Sequence, residues 1–251
     1  MNDYRQQVAS RFGSAALTYD AHSEVQRHAA RQLAQRIATA SLPPRPRVLE
    51  LGCGTGHLTT RLLTHLPGAQ IRATDIAPAM VAACAARCGG SPRIDFAVMD
   101  ACRITSVDFY DLICANLAAQ WFDDLPATLD RLMQRLAPGG LLALSLLGAD
   151  TFREWRTAHE QLGLTPGTPV YSSPDQYQRA LSRHGCLRLD HECWSDSASD
   201  AMAFLRSLRA IGADTPVAGH MPLSAAELRR VMRVLAPTTT YQLIYAGLVR
   251  Q

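Results

Sequence analysis

The stretch Glu50-Leu51-Gly52-Cys53-Gly54-Thr55-Gly56 constrains this chain more than any other part of its 251 residues. It continues Val48-Leu49-Glu50-Leu51, a short apolar run that reads as a buried strand, and it precedes His57 to Leu66, which reads as a helix closed by Pro67-Gly68. Glycines at a strand-to-helix turn permit a tight reversal and let a ligand approach the backbone. The spacing narrows the ligand. Position 57 is His, so the dinucleotide pattern GxGxxG fails, and no Gly-Lys-Ser/Thr follows, so the phosphate loop fails too. Glu50 sits inside the motif, where a pyrophosphate would be repelled but a ligand with a positive sulfonium and an amino group would not.

The flanking pattern is that of an α/β protein. Val25, Ala29, Leu33 and Ile37 form one stripe of a helix over 22–40, which Pro43-Pro44-Arg45-Pro46 ends. Ile71 to Asp75 reads as a second strand, and Pro78 opens a helix from a position where proline is tolerated. Strands are expected at Ile94–Val98, Tyr110–Ala115 and Leu141–Leu147, with a helix from Leu125 to Leu136 ended by Ala137-Pro138-Gly139-Gly140. This βαβαβ alternation with short connections predicts a parallel sheet covered by helices. Beyond residue 150 helices are expected at 151–161, 174–183, 199–211 and 224–234, with strands at Leu187–Trp194 and Tyr241–Val249. No repeat or low-complexity linker divides the chain, so one domain over 1–251 is expected.

Two further acids follow strands. Asp75 ends the second, 19 residues after Gly56, where a carboxylate can accept both ribose hydroxyls of an adenosyl ligand. Asp100 follows the third, placed to accept from an adenine amino group, with Ala101 and Cys102 as small apolar walls. The alternative for each acid is a solvated or helix-capping role.

Composition excludes several classes. The apolar fraction of 47% is ordinary for a globular protein, and no apolar run is long enough to span a bilayer. The opening Met1-Asn2-Asp3-Tyr4-Arg5 lacks the apolar core of a secretory signal, so a cytoplasmic protein is expected. Seven cysteines show no CxxC spacing and read as free thiols, with Cys84 and Cys88 on one helix face. The eight histidines show no metal-ligand spacing, so no metal is expected; His57 is either a contact to the ligand's methionine part or a packing residue. All 25 basic residues are Arg, yet the net charge is only +3 and no basic stretch is interleaved with aromatics, so no nucleic-acid partner is expected.

Taken in order, Glu50-x-Gly-x-Gly-x-Gly, Asp75, Asp100 and Leu136-Ala137-Pro138-Gly139-Gly140 resemble the class I methyltransferase family over roughly residues 45–147. The resemblance implies a Rossmann-like fold: a mostly parallel seven-stranded sheet with helices on both faces, in which an antiparallel strand, here Tyr241–Val249, is inserted beside the last parallel one. It implies S-adenosyl-L-methionine as cofactor, held by Glu50, Gly52, Gly54, Gly56, Asp75, Ile76, Asp100, Ala101 and Asn116. The segment from Arg11-Phe12-Gly13 through Tyr19-Asp20 to Gln26 is similar to the opening of the malonyl-acyl-carrier-protein O-methyltransferases of biotin synthesis. Asn116-Leu117-Ala118-Ala119-Gln120-Trp121 and Arg206-Ser207-Leu208-Arg209-Ala210-Ile211-Gly212-Ala213 fit the same family, extending the resemblance over nearly the whole chain.

That resemblance implies a helical lid over 1–40, a cofactor-binding core over 45–147 and specificity helices with the last strands over 148–251. The acceptor would be the free carboxylate of a malonyl thioester, on acyl carrier protein or on coenzyme A, and the product a methyl ester that primes pimeloyl and biotin synthesis. A carboxylate with a reference pKa near ~4 is already ionised, so no catalytic base is expected. The resemblance points to Tyr19, Gln120, Trp121 and Arg206 as substrate contacts, Phe122 as a pocket wall, and Arg153, Arg156 and Arg209 as a face for an acidic carrier. Gly148 to Trp155 is also similar to methyltransferase-fold factors of complex I assembly that modify protein arginine. A small free carboxylic acid, or cofactor binding without turnover, are the other possibilities.

Overall fold

The computed structural model describes residues 3–104, 108–197, 201–217 and 219–251. Seven strands form one sheet in the order β3-β2-β1-β4-β5-β7-β6. They are β1 (Arg47–Leu51), β2 (Gln70–Asp75), β3 (Ile94–Val98), β4 (Tyr110–Asn116), β5 (Leu136–Leu147), β6 (Cys186–Ser197) and β7 (Thr238–Val249). The first five run parallel. β7 is inserted antiparallel between β5 and β6, pairing Leu144 with Ala246 on one side and Leu189 with Ala246 on the other. This is the class I methyltransferase fold, and the expected inserted strand is present.

The helices are α1 (Asp3–Ala15), α2 (Glu24–Ala38), α3 (His57–His65), α4 (Pro78–Cys88), α5 (Leu125–Gln134), α6 (Arg153–Gln161), α7 (Pro174–Leu181), α8 (Ala201–Ala210) and α9 (Ala225–Val234). Residues 199 and 200, expected to begin α8, lie outside the described residues. Period-2 alternation along β1 splits the core into two layers. Leu49 and Leu51 pack with Leu129 and Leu132 of α5 and Leu181 of α7, whereas Val48 packs with Leu33 and Ile37 of α2 and Leu58 and Leu62 of α3. The stripe of α2 is buried as its spacing predicts, and each fully buried Leu or Ile there contributes about 1.5–3 kcal/mol. Capping boxes at Ser173–Gln176 and Ser224–Glu227 set the starts of α7 and α9 by satisfying amides that a helix leaves without partners.

Two elements depart from the sequence expectation. Leu136–Gly140, expected only to end α5, opens β5 instead. α5 stops at Gln134, Leu136 pairs with Tyr110, and a register shift carries the chain past Pro138, which has no N–H to give a ladder. Gly139 (φ +75°) turns there, and its N–H donates to the Arg250 carbonyl at 2.9 Å. Secondly, residues 3–15 form a helix that hydrophobic periodicity did not mark. α1 packs on α4 and delivers the Arg5 guanidinium, itself buried, to Asp100.

Candidate functional site

The site lies at the carboxyl ends of β1, β2, β4 and β5, where the strand order reverses between β1 and its two neighbours β2 and β4. Open α/β sheets leave a crevice at that point. After Leu51 the chain turns through Gly52, Gly54 and Gly56, with φ of +69°, +53° and +94°. These left-handed values favour glycine. A Cβ at Gly52 would stand 2.5 Å from that of Ala118, whereas a Cβ at Gly54 would meet nothing within 4 Å. Gly54 therefore leaves an open cradle over the loop, the place where a ligand can reach the backbone.

Asp75 holds the loop in this form. Its carboxylate accepts from Gly54 N–H at 3.0 Å and from Ala77 N–H at 2.9 Å. Burial pushes its carboxyl above the usual carboxylate range, and these donors offset part of that shift. A chamber opens above, lined by Gly52, Gly54, Asp75, Ile76, Ala101 and Asn116. All six were expected at the cofactor. Met99 and Phe122 add apolar surface suited to a planar base. The backbone cradle, the carboxylate at the end of β2 and the apolar surface of Met99, Ala101 and Phe122 together fit an adenosyl ligand.

Three expected cofactor residues are placed differently. Glu50 is buried beneath the loop, where its carboxylate accepts from Thr59 Oγ1 at 2.7 Å. Burial pushes its carboxyl well above the usual carboxylate range, and the Thr59 hydrogen bonds oppose part of that shift. Gly56 faces α4 instead of the ligand; a Cβ there would stand 3.1 Å from Cys84 Sγ and 3.3 Å from Cys88 Sγ. Asp100 caps the turn after it through Cys102 N–H at 2.9 Å and pairs with Arg5. Arg5 also reaches Asp123 at 3.1 Å, so its guanidinium ties α1 to the wall of the chamber.

A second chamber adjoins the first. Phe12, Tyr19, Leu117 and Trp121 line both, so they form the partition. Beyond it lie Gln120, expected as a substrate contact, and Gln26, Tyr171 and Tyr241, which were not. Among the described residues only Leu117 (φ +48°) and Phe152 (φ +61°) combine a side chain with positive φ, and both line this chamber. Such outliers persist where their surroundings hold them. Leu117 N–H donates to Ser145 Oγ at 2.9 Å, and Phe152 N–H to the Thr240 carbonyl at 2.7 Å. No sequence signal marks a left-handed Leu or Phe.

The segment before α2 is strapped across the loop. Asp20 accepts from Thr55 Oγ1 at 2.6 Å and pairs with Arg87 of α4. His57 is a packing residue of this strap. Its Nδ1 lies 3.1 Å from Arg87 Nη1, which can only donate, so Nδ1 is the acceptor and Nε2 carries the proton toward Ser23 Oγ at 2.9 Å. Burial, with the guanidiniums around it, lowers the imidazole pKa to about 4 although Asp20 opposes this. Tyr19 stacks on the ring at a centroid distance of 6.1 Å.

Arg206 stands on α8 with its side chain exposed and lines neither chamber, although Leu208 and Ile211 beside it line the second. Arg209 is 82% exposed, with Asp214 at 3.6 Å. Arg153 is also exposed and pairs with Glu154. Arg156 instead turns inward to the carbonyls of Ala149 and Thr151, a structural role that removes it from the expected carrier face.

A family model described as a methyltransferase domain matches residues 49–142. The biotin biosynthesis bifunctional protein BioCD of Bordetella avium is 44% identical over 95% of this chain, which spans 51% of that longer protein. A malonyl-[acyl-carrier protein] O-methyltransferase of Magnetococcus marinus is 37% identical over 97% of this chain and 92% of its own length. Among solved structures, the YcgJ protein of Bacillus subtilis superposes with a TM-score of 0.61 at 19% identity, covering 88% of this chain and 98% of its own. A phosphoethanolamine N-methyltransferase 2 of Haemonchus contortus gives 0.62 at 16% identity, covering all of this chain and 61% of its own. The two structural matches speak for the fold.

Proposed function

Because the chain belongs to the malonyl-[acyl-carrier protein] O-methyltransferase family, we propose that it moves the methyl group of S-adenosyl-L-methionine to the free carboxylate of a malonyl thioester. The observation that carries the assignment is the lining of the second chamber, in which the described residues include no carboxylate, imidazole or amine. Methylation of a hydroxyl or an ammonium needs a base to remove a proton. A carboxylate has none to remove at neutral pH. The phenols of Tyr19, Tyr171 and Tyr241, with a reference pKa of about 10, are neutral at that pH, so the chamber is equipped mainly for alignment.

In this assignment Gly52, Gly54, Asp75, Ile76, Ala101 and Asn116 hold the cofactor, which supplies an electrophilic methyl group when bound. Tyr19 and Trp121 stand in the partition, where a methyl group passing from one chamber to the other must cross. The strap and α1 close the site from above and exclude water, which keeps donor and acceptor in register. The malonyl group arrives on acyl carrier protein. Arg206 and Arg209, exposed on α8, whose Leu208 walls the chamber together with Ile211 just beyond the helix, form the face that meets this acidic carrier.

The test is transfer of labelled methyl from S-adenosyl-L-methionine to malonyl-acyl carrier protein, with acetyl-acyl carrier protein as control. Label on the malonyl species alone is the expected result. Label on neither, with cofactor bound, would move the assignment to a protein substrate or a binding role.

A further inference from the structure

An acceptor chamber for an anion would ordinarily be furnished with a guanidinium or an ammonium. This one is not. Among the described residues its walls are apolar apart from Tyr19, Tyr171, Tyr241, Gln26 and Gln120, together with the indole of Trp121. The Oε1 atoms of Gln26 and Gln120 are buried without a hydrogen-bond partner. Gln120 is held by its own Nε2, which donates to the Leu117 carbonyl at 2.8 Å. The Gln26 carboxamide presents either its oxygen or its N–H donors after a half-turn about the last torsion, whereas the same turn at Gln120 would set its oxygen against the Leu117 carbonyl. Arg5, which lines the first chamber, pairs with Asp100 and Asp123, and Arg156 donates to two backbone carbonyls.

We propose that this chamber holds the substrate carboxylate with neutral donors only, and that its counter-charge is the positive sulfonium of the cofactor, so the acceptor binds productively only after the cofactor. The inference rests on the carboxylate assignment above and adds how the anion is recognised. An unpaired carboxylate in a desolvated pocket is strongly disfavoured. One opposite charge in the adjoining chamber reverses that, because attraction is strong where water is excluded.

The arrangement also suits the reaction. A lone pair of the carboxylate oxygen forms the new C–O bond while the S–C bond breaks and its electron pair stays on sulfur. No proton moves, and an anion and a cation become a neutral ester and a neutral thioether. Charge is dispersed in the transition state, so uncharged walls penalise it less than they penalise the separated ions. A guanidinium would do the reverse, stabilising the carboxylate before reaction and losing that contact as the charge disappears.

The experiment is calorimetric titration of malonyl-CoA into the full chain saturated with either S-adenosylhomocysteine, a neutral thioether, or sinefungin, which carries an ammonium beside the position of the sulfonium. The expected result is binding at least about tenfold tighter to the sinefungin complex. The neutral methyl ester of malonyl-CoA should not distinguish the two complexes. Tyr171→Phe and Gln26→Leu should weaken malonyl-CoA and leave the neutral ester unaffected. Equal affinity of malonyl-CoA for both complexes, in a protein that methylates malonyl thioesters, would overturn the inference alone. If malonyl thioesters are neither bound nor methylated, the carboxylate assignment falls and takes the inference with it.

Discussion

His57 Nδ1 faces Arg87 Nη1 at 3.1 Å, so the imidazole that pins the strap over the glycine loop is neutral and can only accept on that side. Protonation would set an N–H against a guanidinium. The folded pKa is lowered to about 4 from the ordinary 6.5. The associated stability is therefore complete above pH 6.5 and is lost as pH falls through that window toward 4. Thermal unfolding between pH 7 and pH 4.5 should show a His57-dependent loss of about 5–10 °C. His57→Gln keeps a donor toward Ser23 and should flatten that part of the profile.

The bonds from Gly54 and Ala77 N–H to Asp75 predict that this carboxylate shapes the loop as well as the ligand site. Asp75→Ala leaves two amides without their acceptor. Calorimetry should show cofactor affinity reduced about 10- to 100-fold, the equivalent of 1–2 such bonds.

Gly52 and Gly54 both have positive φ, yet substitution should fail differently. Alanine at 52 must fit a Cβ 2.5 Å from Ala118, so Gly52→Ala should lower the unfolding midpoint in denaturant sharply. Alanine at 54 meets open space and carries only the left-handed penalty of about 1–2 kcal/mol. Gly54→Ala should stay folded while its methyl group blocks the cradle, measured as lost cofactor binding.

Arg5 joins α1 to Asp100 and Asp123. Arg5→Met should cost about 1.5–3 kcal/mol in denaturant titrations, the range for hydrogen bonds to charged groups. It should also expose 3–15 to proteolysis earlier than the rest of the chain. Simultaneous loss of both effects, in a variant that is truly folded, would show that α1 is held by its packing on α4 instead.

For the carrier, Arg206→Ala with Arg209→Ala should raise the KM for malonyl-acyl carrier protein severalfold, more at low salt than at high, because exposed charges are screened. The KM for malonyl-CoA, which lacks the carrier's acidic surface, should move far less. An equal change in both would place these arginines at the malonyl group itself.

What could be read from the sequence was local. The glycine spacing, Asp75 and the period-2 and period-3.6 stripes lie within single elements or one βαβ unit. There the chain's own stereochemistry settles the outcome, as the near coincidence of expected and observed β1, β2, β3 and α4 shows. Even there the sequence placed Glu50 and Gly56 only by motif. Their neighbours Thr59 and Cys84, which turn one carboxylate inward and hold the other residue against α4, come into contact only when the layers pack.

The second chamber shows where local reasoning ended. Gln26, Gln120, Tyr171 and Tyr241 come from α2, the turn after β4, the segment before α7 and β7, and nothing in the spacing of four residues so far apart marks them as one surface. Arg206 sits in a segment that pointed to the substrate, yet which face of α8 turns inward was decided by the burial of Phe204, Leu208 and Ile211. The sequence by itself determined the parallel sheet and the loop, because those follow from backbone geometry and short-range pattern, and its resemblance to the methyltransferases carried the kind of cofactor. The tertiary structure alone decided which polar groups line the second chamber and that none of the described ones is charged, because burial and desolvation belong to the packed whole.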